Sequence, residues 1–264
     1  MQRKVMILIV ALAMAMVAAT PASASEPAGP AHIALGDSVA AGSGSNSPNT
    51  AYPERLSRYL RSSDCNEAEA AACPHLELID LSVGGATSTD LIASQLGSAV
   101  NEIVVRAGDG DPTNDVEYVS ITIGGNDVFR PVIAACGEGV DDQCVTTITT
   151  LFTTYQANLG TILGTLRAAA PNAEIAVMTY YNPLGSCDLA ALAPLADAVL
   201  EGGNGLQAGL NDIIRGVAGA VGGVTVVETY GLLGASDFVG GNDCLHPDDS
   251  GHRKIAKAYA AAMG

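Results

Sequence analysis

Five short runs rich in Val, Ile and Leu alternate along the chain with longer segments of helical patterning, and this alternation restricts the fold more than any other feature. The runs are Ala31–Leu35, Leu76–Leu81, Val116–Ile123, Ala173–Thr179 and Val224–Glu228, each with the length and composition of a buried strand. The clearest helical segments are Tyr52–Arg61, Val145–Ala169, Leu192–Ala218 and Asp249–Met263, the third expected to break at Gly202-Gly203. Strands separated by helices join through right-handed crossovers into a parallel sheet covered on both faces. An α/β domain follows, with its ligand site expected beyond the carboxyl ends of the strands.

Composition narrows what such a domain can meet. Residues 1–24 place Arg3 and Lys4 before an apolar stretch from Val5 to Ala19 and end on Ala22-Ser23-Ala24, the pattern of a signal peptide removed near Ala24. A secreted protein is therefore expected, with a short segment at 25–30 and one domain at 31–264. No later apolar run reaches the roughly 18 residues of a membrane span, so no stable membrane anchor is expected. Without Arg3 and Lys4, 10 cations face 28 carboxylates, a net charge of −18. That charge repels phosphate backbones and argues against nucleic acid as a partner.

Six cysteines in an exported chain favour disulfides over free thiols. They allow 15 pairings, among which sequence does not choose. Proximity suggests Cys65–Cys73 and Cys136–Cys144, leaving Cys187 for Cys244. A zinc site lacks any paired Cys-x-x-Cys, and His246, Asp243 and His252 gather no further ligand, so no metal and no organic cofactor is expected.

Three segments carry chemistry. Gly36-Asp37-Ser38 follows the first strand, where a serine at a strand-to-helix turn has free N–H groups behind its oxygen. Alone, such a tripeptide is more often a simple turn or cap. Gly124-Gly125-Asn126-Asp127 follows the third strand. The Asn126 amide can donate to an oxyanion without ionising, while Asp127 suits a structural turn. Gly85, after the second strand, can present a bare backbone N–H, and Gly84 can supply an unusual backbone angle.

Asp243 and His246 are three residues apart, as on one side of a helical turn or tight loop, where the carboxylate can hold one ring nitrogen and leave the other for Ser38. His252 is the nearest rival base, while His32 and His75 have no comparable setting. The Gly-x-Ser-x-Gly elbow of the α/β-hydrolases is absent.

Taken in order, Ile33-Ala34-Leu35-Gly36-Asp37-Ser38, Ser82-Val83-Gly84-Gly85-Ala86-Thr87, Ile123-Gly124-Gly125-Asn126-Asp127 and Asp243-Cys244-Leu245-His246-Pro247 resemble the four motif blocks of the SGNH hydrolase superfamily, also called the GDSL family. The resemblance implies a three-layer α/β/α sandwich on a flavodoxin-like, five-stranded parallel sheet. It also implies Ser38 as nucleophile, Asp243 and His246 as the rest of a triad, and Ser38 N–H, Gly85 N–H and the Asn126 amide as oxyanion donors. Many members carry asparagine where Asp80 stands. The cysteine pattern and Ala51-Tyr52-Pro53 look like those of secreted bacterial lipases and esterases, so a monomeric enzyme acting on a small-molecule or lipid ester is expected. A carbohydrate O-acetyl esterase is the alternative within the class, and a non-catalytic secreted binding domain the alternative outside it.

Overall fold

The computed structural model describes residues 29–64, 76–136, 141–186, 189–241 and 243–264. The expected signal peptide, Cys65, Cys73, His75 and Cys187 lie outside the described residues. Five strands, β1 (Ala31–Gly36), β2 (Glu77–Asp80), β3 (Val116–Thr122), β4 (Glu174–Met178) and β5 (Val224–Val227), form one sheet in the order β2-β1-β3-β4-β5, every pair parallel. This is the doubly wound flavodoxin-like order, whose winding direction reverses between β1 and β3. Each strand coincides with one of the apolar runs, and β1 is buried along its whole length.

Helices cover both faces. The sides of β1 and β4 that carry Ile33, Leu35, Ile175 and Val177 pack under α2 (Ser88–Ser94), α3 (Leu96–Gly108), α4 (Gly125–Cys136), α5 (Asp142–Ala169), α6 (Ala193–Glu201) and α7 (Leu210–Val221). The opposite sides, with Ala176 and Met178, pack under α1 (Tyr52–Asp64) and α8 (Asp249–Met263) through Leu56, Leu60, Ile255 and Tyr259. The long α5 buries Cys144, Ile148, Phe152, Tyr155, Leu159, Ile162 and Leu166, a stripe at helical spacing. Asp141 caps its start by accepting from Cys144 N–H, and Arg167 donates to the Ala170, Pro171 and Ala173 carbonyls beyond its end.

The expected break at Gly202-Gly203 is present: the segment Leu192–Ala218 is two helices, α6 and α7, and the φ of 79° and 102° at these glycines end the first. Two other expectations are corrected. Asp243 to His246 do not form a helical turn. They lie in β7 (Asp243–Pro247), antiparallel to β6 (Phe238–Gly240) in a separate two-stranded sheet. No helix starts behind Ser38 either; residues 38–44 form successive turns, with Ala41 N–H on Asp37 O and Ser43 N–H on Ser38 O. Gly42 and Gly44, at φ of 78° and 91°, stop a helix there.

One disulfide, Cys136–Cys144, joins the end of α4 to the start of α5, as proximity suggested. Cys244 is also disulfide-bonded, with its expected partner Cys187 outside the described residues.

Candidate active site

The end of β1 is held unusually close to β3. Gly36 has φ of +139°, and a Cβ there would stand 2.0 Å from Thr122 O, so only glycine fits. Beyond Asp80 the neighbouring strand β2 has ended, and the buried amide of Gln95 takes its place: Gly36 N–H donates to Gln95 Oε1 and Gln95 Nε2 donates to Gly36 O, both at 2.8 Å. Asp37 N–H then donates to Thr122 O. The chain turns, and Ser38 emerges at the carboxyl edge of the sheet.

Asp37 is buried with its carboxylate engaged by Val39 N–H at 2.9 Å and by the Tyr180 hydroxyl. Burial pushes this carboxyl up to about 6, against the pull of those two donors and of the facing His246. Asp37 thus anchors the turn from below.

The hairpin brings His246 to Ser38. His246 Nδ1 lies 2.9 Å from both oxygens of Asp243, and His246 Nε2 lies 2.9 Å from Ser38 Oγ. An ionised carboxylate only accepts, so Nδ1 carries the ring proton and Nε2 is left to accept from the serine hydroxyl. Partial burial raises the Asp243 carboxyl, but the hydrogen bond and charge of His246, with the Leu245 and His246 N–H groups, outweigh it and hold the group below its ordinary value. Asp243 therefore stays charged where a protonated imidazole needs it.

The second and third motif blocks meet through side chains. Asn126 Nδ2 donates to Ala86 O at 3.0 Å. Asp127 accepts from the N–H and hydroxyl of Ser88, and Asn158 Nδ2 donates to Ser88 Oγ at 2.9 Å. Gly124, at φ of +128°, and Gly125 pass against the rings of Tyr155 and Tyr180, leaving no room for a side chain. In the Gly85 loop, Asp80 accepts from Ser82 N–H at 3.0 Å and from its hydroxyl, the role a neutral amide oxygen would also fill. Gly85 has φ of +80°, and among the described residues neither its N–H nor that of Ser38 has a protein partner.

Ser38, Asn126 and His246 line one cleft of about 80 Å³, with Asp37, Val39, Gly125, Phe129, Arg130, Tyr180, Tyr181, Pro183 and Leu245. Asp243 stands behind His246, and Gly85 lies outside the cleft lining. A larger surface depression, about 530 Å³, lies at the amino ends of β3 and β4 near Val116 and Glu174; it has no serine or histidine.

Among the described residues, His32 and His252 have structural roles. His32 is buried between Ser57 Oγ at 2.7 Å and Ser120 Oγ at 2.8 Å, and burial lowers it to about 3. His252 accepts from Tyr52 N–H through Nδ1 and donates to Ser43 O through Nε2, which ties α8 to the serine loop. Both of its ring nitrogens are thus occupied, and neither faces Ser38. Gln95, Tyr180 and Asn158 were not singled out in the sequence, because a lone polar residue at the join of two helices, past a strand end or inside a helix carries no motif. Among the described residues no group of three His, Cys, Asp or Glu side chains could hold a metal ion.

A parallel α/β sandwich with an Asp–His–Ser chain at the switch point of its sheet has the architecture of a serine ester hydrolase. The chain belongs to the GDSL-like Lipase/Acylhydrolase family, whose model matches residues 34–254, and it is a carboxylic ester hydrolase. It is 30% identical to Lipase 2 of Streptomyces coelicolor over 288 residues, 96% of this chain and 93% of that one. A lipase from a goat rumen metagenome matches its fold with a TM-score of 0.62 at 19% identity, over 88% of this chain and 97% of the other. An extracellular lipase from Streptomyces rimosus matches with a TM-score of 0.52 at 21% identity, over 88% and 99%.

Proposed function

We propose that the protein is a secreted lipase or carboxylesterase in which Ser38 is the nucleophile, His246 the base and Asp243 the residue that orients it. The hydrogen-bonded chain from Asp243 through His246 to Ser38 Oγ carries this reading. As Ser38 Oγ attacks the ester carbonyl, His246 Nε2 takes its proton, and the developing imidazolium is stabilised by the charged Asp243. Negative charge gathers on the former carbonyl oxygen, where the N–H groups of Ser38 and Gly85 and the Asn126 amide serve as donors. Asn126 gives one N–H to Ala86 O and keeps a second for this purpose. His246 protonates the departing alcohol. Water then repeats the sequence on the acyl-enzyme and releases the acid.

Val39, Phe129, Tyr181, Pro183 and Leu245 give the cleft apolar walls, which favour an acyl chain over a sugar ring. Secretion is supported by the 1–24 segment and by the likeness to the S. rimosus lipase, an extracellular enzyme.

The test is hydrolysis of p-nitrophenyl acetate, butyrate and palmitate by wild type, Ser38→Ala and Asn126→Ala. Ser38→Ala should abolish turnover, and Asn126→Ala should lower kcat on the order of a hundredfold. Full activity in Ser38→Ala would refute the mechanism. A preference for acetate alone would redirect the substrate to acetylated sugars.

A further inference from the structure

We propose that Arg130 forms an anion subsite beside the reacting serine, so that the preferred substrates are acyl esters carrying a phosphate or carboxylate group near the scissile bond. The proposal rests on the reading of this cleft as the ester-hydrolysing site. Arg130 lies four residues after Asn126 on α4, which puts the guanidinium on the helix face that carries the Asn126 amide, and both side chains line the cleft with Ser38 and His246.

Its electrostatic setting is unusual for this chain. Among the described residues Arg106, Arg215 and Lys254 are in ion pairs, while Arg55, Arg58 and Arg167 donate to carbonyls and Arg253 to Ser250. Arg61, Lys257 and Arg130 have no such partner, and of these three only Arg130 lines the cleft. The acidic side chains of the cleft and of this part of α4 are already engaged: Asp37 is buried against Tyr180 and Val39, and Asp127 accepts from the N–H and hydroxyl of Ser88. A guanidinium therefore faces the cleft with its donors unused.

With a formal net charge of −16, the protein's overall field repels anions. A local cation with a planar fork of donors, which matches phosphate or carboxylate oxygens, offsets that repulsion only at the site. Apolar walls at Val39, Phe129, Tyr181, Pro183 and Leu245, with one cation among them, suit an amphiphilic ester with an acyl chain and an anionic head.

Two matched pairs test this with the protein that remains after removal of residues 1–24. Dibutyryl phosphatidylglycerol is set against dibutyrylglycerol, and p-nitrophenyl hemiglutarate against p-nitrophenyl butyrate. Arg130→Gln should lower the anionic-to-neutral ratio of kcat/KM about tenfold, with the loss shrinking at raised salt. Lys257→Gln removes the same charge from α8, away from the cleft, and should leave the ratio unchanged. A fall in the first pair alone identifies phosphate as the ligand, and in the second alone carboxylate. Equal ratios in Arg130→Gln and Lys257→Gln overturn the subsite. Should wild type be no better than Ser38→Ala on the neutral esters, the reading of the cleft itself fails, whatever Arg130 does.

Discussion

Gln95 does at the edge of the sheet what another residue of β2 would do if that strand were longer. Its amide satisfies the last N–H of β1 and shares the Gly36 carbonyl with Val83 N–H, just before the chain turns into Asp37 and Ser38. Gln95→Leu would strand the buried Gly36 N–H, at a cost of about 2 kcal/mol, and free the peptide that sets the Ser38 N–H and hydroxyl. We expect urea unfolding to register that loss, and kcat to fall more than KM changes, because ground-state binding to the apolar walls does not pass through Gln95. Gln95→Glu keeps the acceptor and loses the donor, so it should recover stability in part as the carboxylate accepts from Gly36 N–H. Unaltered kcat in Gln95→Leu would show that Ser38 is positioned without this amide.

At the scale of elements, the disulfide between α4 and α5 separates stability from catalysis. Cys136 is at the far end of the helix that starts with Gly125 and Asn126, so the bridge closes a short loop some three turns from the site. Replacing both cysteines by alanine should cost about 2.5 kcal/mol on the loop-entropy argument and leave kcat near wild type; differential scanning calorimetry beside an ester assay would show it, and a collapse of kcat would contradict this separation. The same elements show what could be read in advance. The five strands were legible as apolar runs because a doubly covered sheet buries both of their faces, and α5 because its stripe is long and regular. The helices α2, α3 and α4 were not among the clearest segments: they are short or carry Gly97, Gly108, Gly125 and Pro131, which weaken the helical signal. Ser38, Asp243 and His246, the residues proposed as the triad, stood out from their motif blocks, but the hairpin that presents Asp243 and His246 did not. Its strands are only 3 and 5 residues long, and the spacing of three that suggested a helical turn is also met where Asp243 accepts from the N–H groups of Leu245 and His246.

Across the whole molecule, the buried titratable groups pull stability in opposite directions on acidification. His32, lowered to about 3, remains neutral in the fold while its unfolded counterpart gains a proton below about 6.5, so its contribution is lost as pH falls through that window. His252, also lowered by burial, acts the same way. Asp37 works against them: raised to about 6, it takes up a proton in the fold before the unfolded carboxyl does near 3.8, so stability from this group rises as pH drops from about 6 to about 4. Asp127, raised chiefly by burial, adds to the same side. Each proton taken up by only one state changes stability by about 1.4 kcal/mol per pH unit. Asp37→Asn can keep the acceptor for Val39 N–H while removing the buried charge, so it should be more stable than wild type at pH 7, by about 2 kcal/mol. It should then lose stability more steeply between pH 6 and pH 4, by about one further proton, because the compensating uptake is gone. Urea unfolding of both proteins at three pH values across this range measures the two slopes. Parallel slopes would mean that Asp37 stays ionised throughout, and that the Tyr180 and Val39 donors, rather than burial, govern its charge.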